Sequence, residues 1–264
     1  MASSENWRIM NRYKLTIEYK GTNFVGWQKQ ADNSNSIQKI IEKAIFSLTG
    51  QIVDLAGSGR TDAGVHALAQ TAHFDLSCKK TATENFAFKM RAGLNHYLRH
   101  NDITADIAIL DCTEVDKNFH SRFDANMRHY QYQIISRHPH LTLYRDLAWQ
   151  ITYPLNIDEM LRASKYLLGN HDFSSFRDSE CQSKSAIKTL DKIEIFKEGE
   201  IIKINFSAKS FLHHQVRNMV GTLVLVGGDK IKAEDMKTIL ESKDRKKSGQ
   251  NAPACGLYFL GVDY

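Results

Sequence analysis

Apolar and polar side chains alternate along residues 13–19 and again along residues 201–208. A period of two predicts strands that bury one face. Along residues 37–48 the apolar side chains instead recur every three or four positions, which predicts an amphipathic helix. Ser36 is placed to cap the first turn of this helix and Gly50 to end it.

The remaining periodic segments predict further short elements. Strands are predicted at 52–56, 68–74, 103–110, 127–136, 187–196 and 256–264, and helices at 84–98, 157–168, 214–226 and 233–240. Short helices among many strands favour an α+β architecture in two similar halves. No linker rich in Pro or Ser separates them, so we expect one continuous unit with residues 1–110 as its N-terminal half and 111–264 as its C-terminal half.

Composition excludes several classes of protein. Among 264 residues, 42% are hydrophobic and 25% are charged, which is typical of a globular protein and not of a disordered tail or a fibre. The four cysteines are widely spaced and form no Cys-x-x-Cys or zinc pattern, so we expect reduced thiols. The first 13 residues show no apolar core of a signal peptide, and no apolar run approaches the roughly 20 residues of a membrane span. We therefore expect a cytoplasmic protein with no membrane partner and no metal.

The net charge of +5 is unevenly distributed along the chain. Residues 117–145 hold five Lys or Arg side chains and one acidic side chain, a local charge of +4, and residues 201–228 hold three basic side chains and no acidic one. Aromatic residues interleave the first stretch. Positive groups attract phosphates and aromatic faces stack on bases, which favours a nucleic-acid partner. Two ordinary strands with solvated charges would explain the same composition.

The segment 57–66 is the most unusual in the chain. It reads Gly-Ser-Gly-Arg-Thr-Asp-Ala-Gly-Val-His, so a guanidinium, a hydroxyl and a carboxylate stand among three glycines. Glycines permit positive φ angles and close backbone approach, and an ionised Asp62 suits nucleophilic or general-base chemistry. A tight turn capped by Asp62 is an equally good interpretation from spacing alone. A phosphate-binding loop is not indicated, because the Gly-Lys-Ser/Thr ending is absent.

Residues 59–67, Gly-Arg-Thr-Asp-Ala-Gly-Val-His-Ala, resemble the active-site signature of the tRNA pseudouridine synthase A family. The other motifs of the family are matched in order by residues 19–28, 119–123 with 128–132, 171–177, 211–221, and 252–254 with 256–258. The resemblance therefore spans nearly the whole chain. One departure is Arg99, which follows Leu98 where the family usually has Pro, and it bears on local loop shape.

The resemblance implies a pseudouridine-synthase fold, with two similar α/β halves of ferredoxin- or RRM-like type and mostly antiparallel sheets around a central basic cleft. It implies isomerisation of uridine to pseudouridine at positions 38–40 in the anticodon stem-loop of tRNA, without metal or organic cofactor. The family acts as a homodimer on the anticodon arm, so a homodimer is expected here.

Five residues receive roles from this resemblance. Asp62 is expected to be catalytic, by attack at C1′, addition at C6 or abstraction of a sugar proton. Tyr130 is expected to stack on the target uracil, and Arg217 to form an ion pair with Asp62. Arg60 is expected to contact RNA and help hold the flipped nucleotide. Leu257 is expected to line the uracil pocket, with core packing as its alternative.

Two other functions fit part of the pattern. A silent RNA-binding module would share the fold, but binding alone gains nothing from a carboxylate near phosphates. An RNA N-glycosidase would need an activated water and usually a second carboxylate. Four histidines could suggest a metal site, but we expect structural or RNA-binding roles for His66, His73, His213 and His214.

Overall fold

The computed structural model describes residues 8–30, 35–79, 85–100 and 103–264. The chain divides into two units, Met1–Ala125 with Tyr264 and Asn126–Asp263. This division falls later in the chain than the boundary expected between residues 110 and 111. Within the described residues, no helix is both long enough and apolar enough to cross a membrane.

Over its described residues, the first unit combines four strands with two α-helices. Its elements are β1 (Arg8–Tyr19), α1 (Ile37–Thr49), β2 (Ala56–Gly57), β3 (His66–Lys79), α2 (Phe86–Leu98) and β4 (Ile107–Val115). Strand β1 lies between β3 and β4 and pairs antiparallel with both, while β2 pairs with β3. From Tyr13 to Tyr19 every second side chain of β1 is buried, which confirms the predicted alternation.

Helix α1 begins and ends where its capping residues predict. The Ser36 hydroxyl accepts a hydrogen bond from the Lys39 backbone N–H, and Gly50 adopts the left-handed conformation at φ 70°. Helix α2 packs against β4 and α1. It approaches α1 so closely that a Cβ atom on Gly93 would lie 2.7 Å from Leu48 Cδ1. A larger residue at this position would therefore have to displace the Leu48 side chain.

The second unit holds seven strands and three helices. Its elements are β5 (Met127–Ser136), β6 (Trp149–Ile151), α3 (Ile157–Ser164), β7 (Gly169–Asp172), β8 (Ile187–Leu190), β9 (Lys192–Glu198), β10 (Ile201–Ala208), α4 (Gln215–Gly227), α5 (Asp235–Ser242) and β11 (Leu257–Asp263). The main sheet has the order β11-β5-β10-β9, with antiparallel neighbours throughout, and β6 adds parallel pairing to β5. Strands β7 and β8 form a separate antiparallel pair. Helices with mostly antiparallel strands confirm the α+β class.

Helix α4 is almost entirely buried and positions the chain before β11. A Cβ atom on Gly221 would lie 1.8 Å from the Gln250 carbonyl oxygen, so only glycine permits this approach. The Thr222 hydroxyl accepts the Gly249 N–H at 2.8 Å. The segment that leads into β11 is thereby fixed against α4.

Several predicted elements differ in the structure. Only Ala56–Gly57 pairs as a strand near the segment predicted at 52–56. The segment predicted as one strand at 187–196 forms two strands, which are separated at Asp191. The Asp191 N–H donates a hydrogen bond to the Ser207 carbonyl. The strand predicted at 103–110 begins later, after a 3-10 turn at Thr104–Asp106. Strands β6 and β7 were not predicted, because they are too short to show a hydrophobic period. Residue 84, the first of the helix predicted at 84–98, lies outside the described residues.

His73 on β3 connects two parts of the first unit. Its Nδ1 accepts the Ser121 backbone N–H at 3.2 Å, and the Ser121 hydroxyl donates to the Ala56 carbonyl at 2.7 Å. Burial, followed by the nearby Arg12 guanidinium and the His120 ring, lowers the pKa of His73 to about 4. A neutral imidazole therefore joins β3 to the loop that follows β4.

Protonation of His73 should destabilise the protein as the pH falls. Its folded pKa of about 4 lies below the ordinary value of 6.5, so the unfolded chain takes up the proton first. The free energy of unfolding should therefore decline between about pH 6.5 and pH 4. His73→Asn keeps an acceptor near Nδ1 but cannot titrate, so chemical denaturation over this range should show a shallower decline than in the wild type. Equal slopes for the two proteins would contradict this role.

Candidate active site

Asp62 lies on the loop between β2 and β3 of the first unit. Its side chain is half-buried, whereas Arg60 on the same loop is exposed. The loop reverses at Gly64, where φ is 78°, and the Val65 N–H donates to the Asp62 carbonyl at 3.2 Å. The carboxylate is thus carried on a hydrogen-bonded turn.

The segment after β1 holds this loop from one side. The Trp27 N–H donates to the Thr61 carbonyl at 3.0 Å, and the hydroxyls of Tyr19 and Thr61 share a hydrogen bond of 2.8 Å. Burial raises the pKa of Tyr19 above its usual value, so the phenol stays protonated. The residue directly before Asp62 is therefore fixed by both its backbone and its side chain.

Two glycines allow the backbones to meet. A Cβ atom on Gly21 would lie 1.9 Å from the Val65 carbonyl oxygen, and one on Gly26 would lie 2.6 Å from that of Thr61. Gly26 also has φ 104°, a conformation that other residues rarely adopt. The Gly21 N–H donates to Nδ1 of the buried His66 at 3.0 Å, so this imidazole carries any proton of its neutral form on Nε2.

Buried polar side chains hold the other end of the loop. The Ser58 hydroxyl donates to Gln70 Oε1 at 2.7 Å, and Gln70 Nε2 donates to the Gly59 carbonyl at 3.0 Å. Both side chains are fully buried. A paired buried amide of this kind rigidifies its surroundings, because breaking either bond leaves an unsatisfied group.

Tyr130 lies on β5 of the second unit, in an aromatic setting. Its ring meets Phe211 edge-on with centroids 5.2 Å apart, and Phe259 on β11 at 5.0 Å. Phe206 on β10 is its direct partner across the sheet. The orientation of the Tyr130 ring is therefore set by aromatic neighbours on two adjoining strands and on the segment before α4.

Arg217 is tied to the segment that precedes β11. Its Nε donates to the Ala252 carbonyl at 2.7 Å, and its own carbonyl accepts the Ala252 N–H at 3.3 Å. The same segment receives a hydrogen bond of 2.7 Å from the Tyr132 hydroxyl to the Pro253 carbonyl. This segment ends at Leu257, which is buried at the start of β11.

The sheet register brings the predicted residues of the second unit together. Leu257 lies opposite Tyr132, and Phe259 lies opposite Tyr130. Opposed residues of an antiparallel pair project to the same face, so these four side chains share one face of the sheet. Tyr130 and Leu257 therefore share a face of this sheet, and Arg217 bonds to the segment that leads into β11. Asp62 and Arg60 share a single loop of the first unit.

An acidic residue that sequence reasoning missed, Asp178, contacts the residue that precedes α4. Asp178 Oδ2 is 2.7 Å from His214 Nδ1, and the His213 and His214 rings stack with centroids 3.9 Å apart. Partial burial acts to raise the pKa of Asp178, but the Glu180 N–H and His214 lower it overall. The histidine pair is visible in the sequence, whereas the distant Asp178 gives no spacing signal.

Known proteins resemble this chain over almost its full length. A family model described as tRNA pseudouridine synthase matches residues 15–124 and 163–264. A tRNA pseudouridine synthase A of Ehrlichia ruminantium (strain Gardel) is 50% identical over 96% of this chain and 99% of its own length. The corresponding protein of Ehrlichia chaffeensis is 50% identical over 96% of this chain and its full length. A solved structure titled "Crystal Structure of a Cbf5-Nop10-Gar1 Complex" covers 80% of this chain and 53% of that one, with 11% identity and a TM-score of 0.33, which is too low to support an inference.

Substituting Gly26 should destabilise the protein more than substituting a glycine in open space. Gly50→Ala places a side chain at φ 70° with no atom nearby, which should cost about 1–2 kcal/mol of unfolding free energy. Gly26→Ala also forces a side chain to a positive φ, here 104°, and in addition places its Cβ atom 2.6 Å from the Thr61 carbonyl oxygen, so its loss should be clearly larger. Chemical denaturation of the two variants measures the difference. Equal losses would mean that the contact at Thr61 relaxes freely.

Proposed function

This chain belongs to the tRNA pseudouridine synthase family and isomerises uridine to pseudouridine in tRNA, and we propose that it acts at positions 38–40 of the anticodon stem-loop with Asp62 as its catalytic carboxylate. The observation that supports this role is the half-buried Asp62 on a turn that is hydrogen-bonded from both sides. A group held so firmly needs little reorganisation to meet a substrate.

The isomerisation breaks the N1–C1′ bond, turns the uracil and joins C5 to C1′. The C5 hydrogen leaves as a proton, and N1 takes up a proton from solvent. Atoms and electrons balance within the nucleotide, so we propose that neither a metal nor an organic cofactor takes part. A base stacked in a helix cannot turn, and the target nucleotide must therefore leave the stack. We propose that the exposed Arg60 contacts the RNA and helps to hold this flipped nucleotide.

The residues of the second unit complete the proposed site. Arg217 pairs with Asp62 and favours its ionised form, as a nearby cation does for a carboxylate. The anchoring of its Nε to the second unit supports this role, because it restricts the orientation of the guanidinium. Tyr130 stacks on the uracil and Leu257 lines the pocket. Their shared face of the sheet supports both assignments.

The wider assembly follows from the size and charge of the substrate. We propose two similar α/β halves around a central basic cleft, supported by the positive stretches at 117–145 and 201–228. An anticodon arm exceeds a single active site, which supports a homodimer. All four cysteines are free thiols, which supports a reducing compartment such as the cytoplasm.

Replacing Asp62 should abolish turnover and preserve binding. A tRNA transcript tritiated at uracil C5 releases its label when the wild-type protein isomerises it. Asp62→Asn should bind this tRNA and release no label, because the amide retains the shape but not the charge of the carboxylate. Asp54→Asn is the matched control, since Asp54 is 86% exposed on the same unit, and it should turn over normally.

Near-normal release by Asp62→Asn would overturn the assignment. Free uracil from the wild type would indicate an N-glycosidase, and binding without release would indicate a silent RNA-binding module.

Affinity for tRNA should fall steeply as salt rises. Each phosphate neutralised by Lys or Arg releases counterions, so the logarithm of the binding constant should decline linearly with the logarithm of salt concentration. Filter binding at several salt concentrations measures the slope. A flat response would contradict the proposed basic cleft.

A further inference from the structure

Phe123 of the first unit has no role in the proposed chemistry, yet its phenyl side chain is 76% exposed. It lies on the loop that follows β4. Its ring rests against the imidazole of His120, with centroids 4.3 Å apart and planes 34° apart. Two aromatic rings thus form a tilted pair in close contact, with one member largely in solvent.

The backbone beneath this pair is held by its own hydrogen bonds. His120 Nδ1 accepts the N–H groups of Arg122 at 3.1 Å and Phe123 at 3.3 Å. Asp124 Oδ2 accepts the His120 N–H at 2.8 Å, and the Asp124 N–H donates to the His120 carbonyl at 3.1 Å. A ligand that meets Phe123 therefore need not first order the loop, which lowers the entropy cost of binding.

The loop is also fixed to the framework that carries Asp62. Ser121, two residues before Phe123, is fully buried and donates to the Ala56 carbonyl at 2.7 Å. Ala56 belongs to β2, the strand from which the Asp62 loop starts. The Tyr264 hydroxyl donates to the Ser121 carbonyl at 2.9 Å from another direction.

Residues 116–124 hold two acidic and two basic side chains, and hydrogen bonds to the loop backbone engage both acidic ones. Asp116 and Asp124 both use a carboxylate oxygen to accept a backbone N–H of the loop. The cationic side chains of Lys117 and Arg122 are exposed on the same loop. Cations beside an exposed aromatic ring are the combination that binds phosphate and base together.

We propose that Phe123, backed by His120, is a stacking platform for a tRNA base other than the uridine that reacts. The inference rests on the proposed tRNA substrate and adds a second point of contact to it. A stacked base of any type satisfies a phenyl ring, because every base has a π face. A platform of this kind therefore serves tRNAs of different sequence.

Direct binding measurements test the platform separately from catalysis. In the Asp62→Asn background, Phe123→Ala should weaken tRNA binding about five- to hundredfold, the range expected for losing one base stack. Phe123→Trp should restore the affinity, because an indole offers at least as large a face. Ile52→Ala is the matched control, since Ile52 is 91% exposed on the same unit, and it should bind like its parent.

Kinetics and spectroscopy distinguish stacking from a structural role. In the otherwise wild-type enzyme, Phe123→Ala should raise KM for tRNA and leave kcat within about twofold. A 2-aminopurine placed in turn at anticodon-arm positions should be quenched by the wild type at one position, and Phe123→Ala should lose that quenching.

Two results would overturn the proposal. An unchanged affinity of Phe123→Ala for tRNA would refute the stacking platform. A change of oligomeric state in sedimentation, with tRNA affinity per site preserved, would assign the ring to contact between copies. Absence of tritium release from the wild type would refute the proposed function and leave the binding result standing.

Discussion

In the first unit, the backbone after β1 approaches the backbone of the Asp62 loop so closely that no side chain fits between them. The candidate site depends on this close approach. Gly21 faces the Val65 carbonyl and Gly26 faces that of Thr61 at distances that exclude a Cβ atom. The same segment reaches helix α1, because the Ile37 N–H donates to the Gly26 carbonyl. Backbone contact with a segment that is itself joined to a helix thus helps to set the position of Asp62.

In the second unit a buried helix positions the predicted site residue Arg217. Helix α4 is buried on nearly all sides, and the segment before β11 lies directly on its backbone at Gly221. The Arg217 side chain extends from this helix, and its Nε donates a hydrogen bond to the Ala252 carbonyl of that segment. A long cationic side chain, which would lose much rotamer freedom on binding a substrate, is restricted beforehand by the protein.

Local signals in the sequence were sufficient for some features. Ser36 and Gly50 define α1 because a helix end needs only neighbouring residues to cap it. The prediction of a single strand at 187–196 was wrong, because the break at Asp191 depends on a hydrogen bond to the Ser207 carbonyl of a different strand. For the site, Asp62 and Arg60 stood out through their glycine-rich setting and the family motif. Asp178 could not be found, because its link to His214 is established only by folding. The motif at 119–123 likewise holds two phenylalanines that the sequence does not distinguish. Phe119 packs on Tyr264, while Phe123 is exposed.

The hydrogen bond from Tyr264 to Ser121 has a consequence for the order of folding. Its partners are 143 residues apart, whereas Tyr19 and Thr61, which support the Asp62 loop, are separated by 42. Synthesis proceeds from the N-terminus, and domains fold as their residues emerge. The contacts around Asp62 are therefore available while the second unit is still being translated, but the loop of Phe123 receives its last support only when residue 264 has been added. A nascent chain thus acquires its proposed catalytic loop well before its stacking platform is fully braced.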